Sequence, residues 1–587
     1  MRTGAGFGGV AGVALQQSSE ALRRPFGLLR IGFSLLAAVS LVIGYLGFSL
    51  LVSARKGLGD RPLDIIYYDL QLFVLGADPL QDPGPYPLLL EIARFTAPAA
   101  TVYAMFEAAR LLYAVELSRW RARRARDHAI VCGDTELADM LSQRLQQRGV
   151  EVVEVRNLPD EFVTKGEPLR IIGDARDPRV LRAAGIDHAT TVYACAPGSA
   201  TNVAIALAAC TVRGDVTQPL AVYSHIPDHD LCSTFQATFL SRTRPDPVRL
   251  DFFDINSIAA RRLFTDHPLV PLAGKAPRLM VAGASGFGAA AVLAAARNWR
   301  VVRGDQQRLP LTLVDVNAMT TVDELVRWYP FLAEVCDFTV RDVDLLPLLS
   351  GGQAVPSPDR LLVCHHDEEL ALKSAMAAER LWRGELESIV VRLDGLARFL
   401  AEDGPVQGGR LLDGSGGLLH PFGVINAACD PDLIGEDLVE RLAHVIHDRY
   451  LRGRRQRGEW SADDASLLPW DELSPRLRLA NRAQAEDIGR KLAEVNCAIS
   501  PRFGRDADIT LSEADLEYLA RLEHERWCGE HVAAGWSWGE QRSEDCKRHP
   551  GLRPWHALPE QFRQRTHDTV RELTDVLADA GFKIVRG

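Results

Sequence analysis

The residues of this 587-residue chain best suited to hold a ligand are glycines. Arg278-Leu-Met-Val-Ala282 has the apolar run of a buried strand; Gly283-Ala-Ser-Gly-Phe-Gly288 follows at once, ahead of an alanine-rich helix from Ala289 to Arg297. A strand, a glycine turn and a helix N-terminus bring backbone N–H groups and the positive end of a helix dipole to one point, where a dinucleotide fold holds pyrophosphate. Gly283 and Gly288 keep the first and third fingerprint positions, with Ser285 at the second and Gly286 beside it. Asp315 ends the next strand, at the position from which a carboxylate reaches ribose hydroxyls. An NAD-type or other nucleotide is the expected occupant, although glycine turns also serve tight strand-to-helix geometry in empty crevices.

The same order occurs earlier. His128-Ala-Ile-Val-Cys132 leads into Gly133, but Thr135 and Ala138 replace the second and third glycines. The following strand, Val150 to Val155, ends at Arg156, which suits a phosphate or nothing.

A third constellation lies near the C-terminus. In Leu522-Glu-His-Glu-Arg-Trp527, Glu523 and Trp527 share one helical face and Arg526 stands three residues beyond Glu523. Trp527, Trp536, Trp538 and Trp555 could stack on a planar base while Arg526, His524 and Asn481 reach its phosphates or edges. The expected ligand set is Asn481, Glu523, His524, Arg526, Trp527, Trp536, His549 and Trp555. The alternative is that the tryptophans form the core of a small helical domain and the Glu523–Arg526 pair is a surface bridge. Pro-Trp-x-x-Leu occurs at Pro469 and again at Pro554, an offset of 85 residues that marks a partial internal repeat. Cys364-His-His-Asp-Glu-Glu369 is too consecutive to converge on one ion, so no metal is expected. No nucleophile and base with an orienting third group is legible, so the chain reads as a non-enzyme.

The elements that position these groups begin in a membrane. From Ile31 to Ala54 no residue is charged, which is long enough for a transmembrane helix. A second span is expected from about Leu88 to Val115, with Glu91 and Arg94, and Glu107 and Arg110, paired at i, i+3 so that it could line a pore; an amphipathic surface helix is the alternative. Arginines before the first span and from Arg119 to Arg126 place both termini in the cytoplasm of a multi-pass, inner-membrane protein in contact with lipid. Residues 62–80 between the spans read as a re-entrant pore loop, with Phe73, Val74, Leu75 and Gly76 at its tip, Gly76 alone being suited to an awkward backbone turn.

A net charge of −10 without a basic face argues against nucleic acid. Scattered cysteines without Cys-x-x-Cys spacing point to a reduced compartment and no disulfides. The expected fold class is α/β: a transmembrane hairpin, two doubly wound parallel-sheet domains and a mostly helical C-terminal domain. The boundaries are a flexible N-terminus (1–27), the hairpin (28–126), the first sheet domain (127–272), the second (273–451), a charged linker (452–468) and the C-terminal domain (469–587).

Within 127–270 the strand ending Gly173-Asp174-Ala175, the helix Pro178 to Ala184, the Gly185-Ile186 turn, the strand Thr191 to Cys195 and the pair Thr201-Asn202 occur in the order of an RCK domain, the regulator of potassium conductance, which this region resembles. The resemblance makes Gly133, Asp174 and Asn202 candidate cofactor contacts and the 273–451 segment a second copy. The Glu-His-x-x-Trp, Ala-Gly-Trp, His-Pro and Pro-Trp-x-x-Leu order over 469–582 resembles the RyR domain, named after ryanodine receptors. Two spans ahead of tandem RCK-like domains look like a ligand-gated potassium-channel subunit, which implies four chains around a pore. The filter sequence of such channels, Thr-Val-Gly-Tyr-Gly, is replaced by Phe73-Val-Leu-Gly-Ala-Asp78. The expected function is a cation channel or pore-like effector opened by a nucleotide-type ligand; the alternative is a non-conducting tethered sensor or scaffold.

Overall fold

In the computed structural model, residues 32–55, 61–76, 80, 85–157, 168–213, 219–240, 248–272, 274–284, 286–303, 307–351, 356–382, 388–395, 418–458, 464–503, 508–543 and 545–587 are described. They fall into an N-terminal helical unit and a larger body, taken in turn.

Uncharged, β-branched and small residues make Gly32–Ala54 a helix with a mean hydropathy of 2.4. Its 23 residues rise about 34 Å, enough for a hydrocarbon core of ~30 Å. Among the described residues it is the helix long and apolar enough to cross a membrane. The second helix, Leu88–Arg124, is longer than expected and carries the arginine run on its last turns. The two run antiparallel: the Phe33 and Tyr103 rings stack at 3.9 Å, the Ser40 hydroxyl donates to Thr96 Oγ1 at 2.7 Å, and Gly47 lies so close to Leu90 that a Cβ would stand 2.8 Å from its backbone nitrogen. Phe33, Ser40 and Gly47 recur every seven residues, so one stripe makes all three contacts. Glu91 and Arg94 bridge at 3.3 Å; the side chain of Arg110 lies outside the described residues. Leu35, Val42, Phe95, Val102 and Phe106 point outward and exposed, an apolar surface that lipid covers at lower cost than water.

Between these helices the chain forms a short helix, Pro62–Leu72, opened by a proline whose missing N–H is not needed there. Its Ile65 and Leu72 join Phe48, Leu51, Leu90 and Ala97 in one small core. Phe73, Val74, Leu75 and Gly76 then close the helix, their N–H groups donating back to Leu70, Gln71, Leu72 and Gln71 carbonyls. The left-handed residue is Leu75, at φ 58°, and not Gly76. The expected backbone role of Gly76 therefore falls to its neighbour, because capping three orphan carbonyls sets the turn one residue earlier.

The body holds two six-stranded sheets. Strands β1 (Ala129–Cys132), β2 (Val152–Arg156), β3 (Leu169–Ile172), β4 (Thr191–Ala194), β5 (Leu220–His225) and β6 (Val248–Phe253) are ordered β3-β2-β1-β4-β5-β6. Strands β7 (Leu279–Ala282), β8 (Leu309–Asp315), β9 (Cys336–Asp342), β10 (Arg360–Val363), β11 (Ser388–Arg392) and β12 (Leu419–Phe422) repeat that order as β9-β8-β7-β10-β11-β12. β1 is parallel to β2 and β4, and β7 to β8 and β10, so each sheet reverses its winding at its first strand. The helices Ile255–Asp266 and Phe287–Arg303 pack their Ala259, Leu263, Ala291, Ala295 and Trp299 into a core common to both sheets. All ten cysteines are free.

The C-terminal region is built twice. Trp470–Glu472 and Trp555–Ala557 are 3-10 turns, Pro475–Glu494 and Glu560–Asp579 are helices, and Cys497–Pro501 and Phe582–Arg586 are strands, each pair offset by 85 residues. The two strands pair with each other, antiparallel. The duplication reaches further back. His447 Nε2 donates to Leu468 O at 2.8 Å and His524 Nε2 to Arg553 O at 2.7 Å, each carbonyl belonging to the residue before Pro-Trp. Helix Leu438–Gln456 is thus the counterpart of helix Glu513–Ala533, and the repeat begins inside what reads as the second sheet domain. Residues 452–456, expected in a linker, are the end of that helix; arginines are good helix formers and Gly453 is tolerated within it.

Candidate functional site

In the second sheet the reversal point lies between β7 and β10. Gly283, at φ 88°, ends β7, and a Cβ there would stand 2.9 Å from the backbone nitrogen of His365. At Gly288 a Cβ would stand 1.7 Å from Gly283 O, so this glycine is required for the helix to start under the strand. Gly286, at φ 53°, faces open space toward Asn256, whose amide nitrogen is 3.7 Å from its notional Cβ. Ser285 lies outside the described residues. Asp315 holds the loop: its Oδ2 accepts from Ala284 N at 2.9 Å and its Oδ1 from Asn317 N at 3.0 Å.

His365, weighed in the sequence only as part of a metal cluster, joins this site. It is 8% exposed at the reversal point, and its Nε2 has no hydrogen-bond partner among the described residues. Burial holds its pKa below the ordinary value against the opposing pull of Asp344, Asp315 and Asp367, so the ring is a neutral donor or acceptor. A buried orphan nitrogen beside a glycine turn and a carboxylate is the kind of polar set that a nucleotide satisfies. No group of three or more His, Cys, Asp or Glu side chains is placed to hold a metal ion among the described residues.

The first crevice is closed by its own groups. Gly133, at φ 135°, lets β1 run within 2.5 Å, by its notional Cβ, of Cys195 O. Thr135 caps the next helix, accepting from Ala138 N and donating to Cys195 O at 2.6 Å. Arg156 turns inward onto Asp139 and Glu154. Asn202 is fully buried; its Oδ1 accepts from Ala196 N and its Nδ2 donates to Ala196 O and His225 O, which leaves it clamping two strand ends. Asp174 is half-exposed and bonded to Arg176, which holds its carboxyl below the usual range.

In the C-terminal region Glu523, His524, Trp527 and His549 line a cavity of about 230 Å³ with Phe562 and Arg565. Trp527 lies 4.1 Å from the His531 ring and 4.9 Å, edge-on, from His549. His524 and Trp555 face a second, more open cavity of about 520 Å³ with Arg521, Cys528 and Arg553. Glu523 is buried between Lys491 Nζ at 2.5 Å and Arg526 Nη2 at 2.6 Å. Burial alone would raise its carboxyl, and the two cations together outweigh it, so the net shift is downward. Arg526 also pairs with Glu530, so it is bound within the protein. Trp536 lines neither cavity; it is 4% exposed, under the Arg476 guanidinium at 5.1 Å, and joins Trp527 through the His531 ring, 5.6 Å away. Asn481 bonds back to Leu477 O on its own helix, away from both cavities. Lys491, 1% exposed, went unnoticed in the sequence, though its place between Ile488 and Leu492 on a buried face is a signal that could have found it.

Known proteins share these two folds. The TrkA-N domain family matches residues 129–236, β1 to the helix after β5, and the RyR domain family matches residues 509–586. The chain is also similar to the voltage-gated potassium channel Kch of Escherichia coli (strain K12), 36% identical over 103 residues. That stretch is 16% of this chain and spans a quarter of Kch. Among solved structures, GsuK bound to ADP aligns at 15% identity and a TM-score of 0.34, over 71% of this chain and 98% of that one. The GsuK channel bound to NAD aligns at 13% identity and 0.34, over 71% and 84%. The RyR match covers the second half of the duplication, from just before helix Glu513–Ala533, whereas the first half starts at Leu438.

Proposed function

We propose that this protein is a ligand-gated cation channel or pore-like effector of the inner membrane, whose body senses a nucleotide-type ligand. The observation that carries the reading is the N-terminal arrangement: two antiparallel helices locked by Phe33–Tyr103 and Ser40–Thr96, with the short helix Pro62–Leu72 packed into the same core. A short helix packed between two longer ones is how a re-entrant pore segment would satisfy its backbone in lipid. The similarity to Kch supports the same class. In this reading both termini face the cytoplasm and four chains surround the axis, with one short helix contributed by each.

The second sheet's crevice is the proposed nucleotide site. Gly283, Gly286 and Gly288 would let a phosphate approach the helix N-terminus, Asp315 would meet a ribose, and the orphaned His365 Nε2 would gain a partner. Only four residues separate helix Leu88–Arg124 from β1, so a shift of the body on binding is passed to that helix over a short tether.

One observation favours the alternative of a non-conducting tethered sensor. Among the described residues, Phe73 to Gly76 fold back as a helix cap, their N–H groups donating to the carbonyls of residues 70–72, where a filter would run extended. Reconstituting the full chain in liposomes decides between them. Potassium, sodium or rubidium flux that NAD, ADP or ATP switches on supports the channel; binding of a nucleotide with no flux of any cation overturns it and leaves the sensor.

A further inference from the structure

The helices His229–Leu240 and Ile255–Asp266 from the first sheet, Phe287–Arg303 from the second, and Leu438–Gln456 and the end of Glu560–Asp579 from the C-terminal region meet around a cavity of about 210 Å³. Five guanidiniums line it: Arg261, Arg297, Arg300, Arg441 and Arg452. The acidic side chains that line it are Asp448 and Asp579.

The pairing is uneven. Arg261 bridges Glu436 at 2.7 Å. Arg300 and Arg452 share the single carboxylate of Asp579, at 3.1 and 3.5 Å, and Arg449 takes the same group at 2.8 Å from outside the cavity. Among the described residues Arg297 reaches only the neutral backbone carbonyl of Asp579, at 2.8 Å, and the face of Tyr329. Arg441 makes no side-chain hydrogen bond or ion pair among the described residues, and its Nε is buried without a partner. Burial lowers the pKa of Arg261, to about 10, and of Arg297, and in both the Arg441 charge lowers it further. Arg441 acts on the buried Asp251 through its charge and without a bond, so the cations lining the cavity still outnumber the carboxylates bonded to them, an arrangement that costs stability unless an anion enters. Apolar and aromatic side chains line it too, Leu293, Val301 and Phe331, the last under the Arg300 guanidinium at 5.1 Å.

We propose that this three-way junction is a binding site for an oligophosphate, with the phosphate chain on Arg297, Arg441 and Arg452. Guanidinium forks match phosphoryl oxygens in twos. The site is separate from the crevice beside Gly283, and because all three folded parts line it, an anion held there ties the C-terminal repeat to both sheets. Inorganic pyrophosphate and ADP share this chemistry, and only the second offers a base to the Phe331 wall.

The test uses the full chain in detergent, titrated with pyrophosphate, ADP and inorganic phosphate while heat release and thermal midpoint are followed. Pyrophosphate is expected to bind saturably and raise the midpoint, with ADP at least as tight if the base contributes and inorganic phosphate weaker. Arg441→Gln, which breaks no internal hydrogen bond, is expected to weaken binding about tenfold or more with a ligand-free midpoint no lower than that of the parent chain. Arg297→Gln is read in the same way should the first variant misfold. Asp315→Asn, in the crevice, is expected to leave pyrophosphate affinity intact. Saturation by none of the probes, equal affinity in Arg441→Gln and Arg297→Gln, or loss of pyrophosphate binding in Asp315→Asn would overturn the junction site. A failure of ion flux leaves it untouched.

Discussion

Ile499 and Ile584 face each other across the antiparallel ladder of the C-terminal region, and they are also each other's counterparts in its internal repeat, 85 residues apart. A pair of equivalent residues can be mutual neighbours only on a two-fold axis, so the repeat is symmetric about this pair. The two halves close their core on it: Ile499 is 6% exposed and Ile584 is fully buried.

Truncating either isoleucine to alanine is expected to cost about 2–4 kcal/mol. Because the side chains are in direct contact, the double variant should cost less than the sum by roughly 0.5 kcal/mol or more. Denaturant melts of the four proteins check this; strict additivity would place the two side chains apart.

Lys491→Met should destabilise by about 3 kcal/mol near neutral pH, since it leaves the buried Glu523 with Arg526 alone. The sign of the pH dependence follows from the lowered Glu523 pKa. Its ionised form stabilises the fold above the ordinary value of 4.5, and that stability is lost as pH falls through the lower folded value. The deficit of the variant is therefore largest at pH 7 and shrinks in acid, as thermal midpoints over a pH series would record.

His225 and His444 are held neutral, their pKa values pushed down to about 4 and about 3, by burial first and, at His444, by the neighbouring Arg261. The unfolded chain takes up these protons below about pH 6.5, while the folded one does so only near the lower values, so stability falls as pH drops through that window. A variant with glutamine at both positions should show a shallower acid limb between pH 6.5 and 4 and little change above pH 7.

Gly44→Ala brings a Cβ to within 1.9 Å of the Asp69 carboxylate, which is itself buried in the N-terminal unit. A loss of about 1–3 kcal/mol is expected from the forced repacking. Gly32→Ala has nothing within 4 Å and serves as the neutral comparison. Thermal melts of the detergent-solubilised chain separate the two.

Much of the architecture is legible without coordinates because it depends on short-range pattern. An apolar run that ends at a glycine, as at Ala282 and Gly283, marks a buried strand turning under a helix, and the uncharged stretch ending at Ala54 marks a span. What escaped notice has partners far along the chain. Helix Leu438–Gln456 belongs to the C-terminal repeat through one bond from His447 to Leu468, a relation with no periodic signature because the loops of the two halves differ in length. Leu75 took the left-handed turn expected of Gly76, since the register of the helix cap, and not the residue's own preference, chose the position.

The sequence by itself determined the kinds of parts: a membrane-length helix, two glycine-turn sheets and a tryptophan-rich repeat, each set by local periodicity and by where glycine and proline interrupt it. The tertiary structure alone decided which polar groups are spent and which remain. Asn202, Arg156 and Arg526 are consumed by internal bonds, whereas His365 Nε2 and Arg441 Nε are buried with none among the described residues. Even where the partners are near in sequence, as Asn202 and Ala196 are, a hydrogen bond or ion pair is satisfied by proximity in space and not by spacing along a chain.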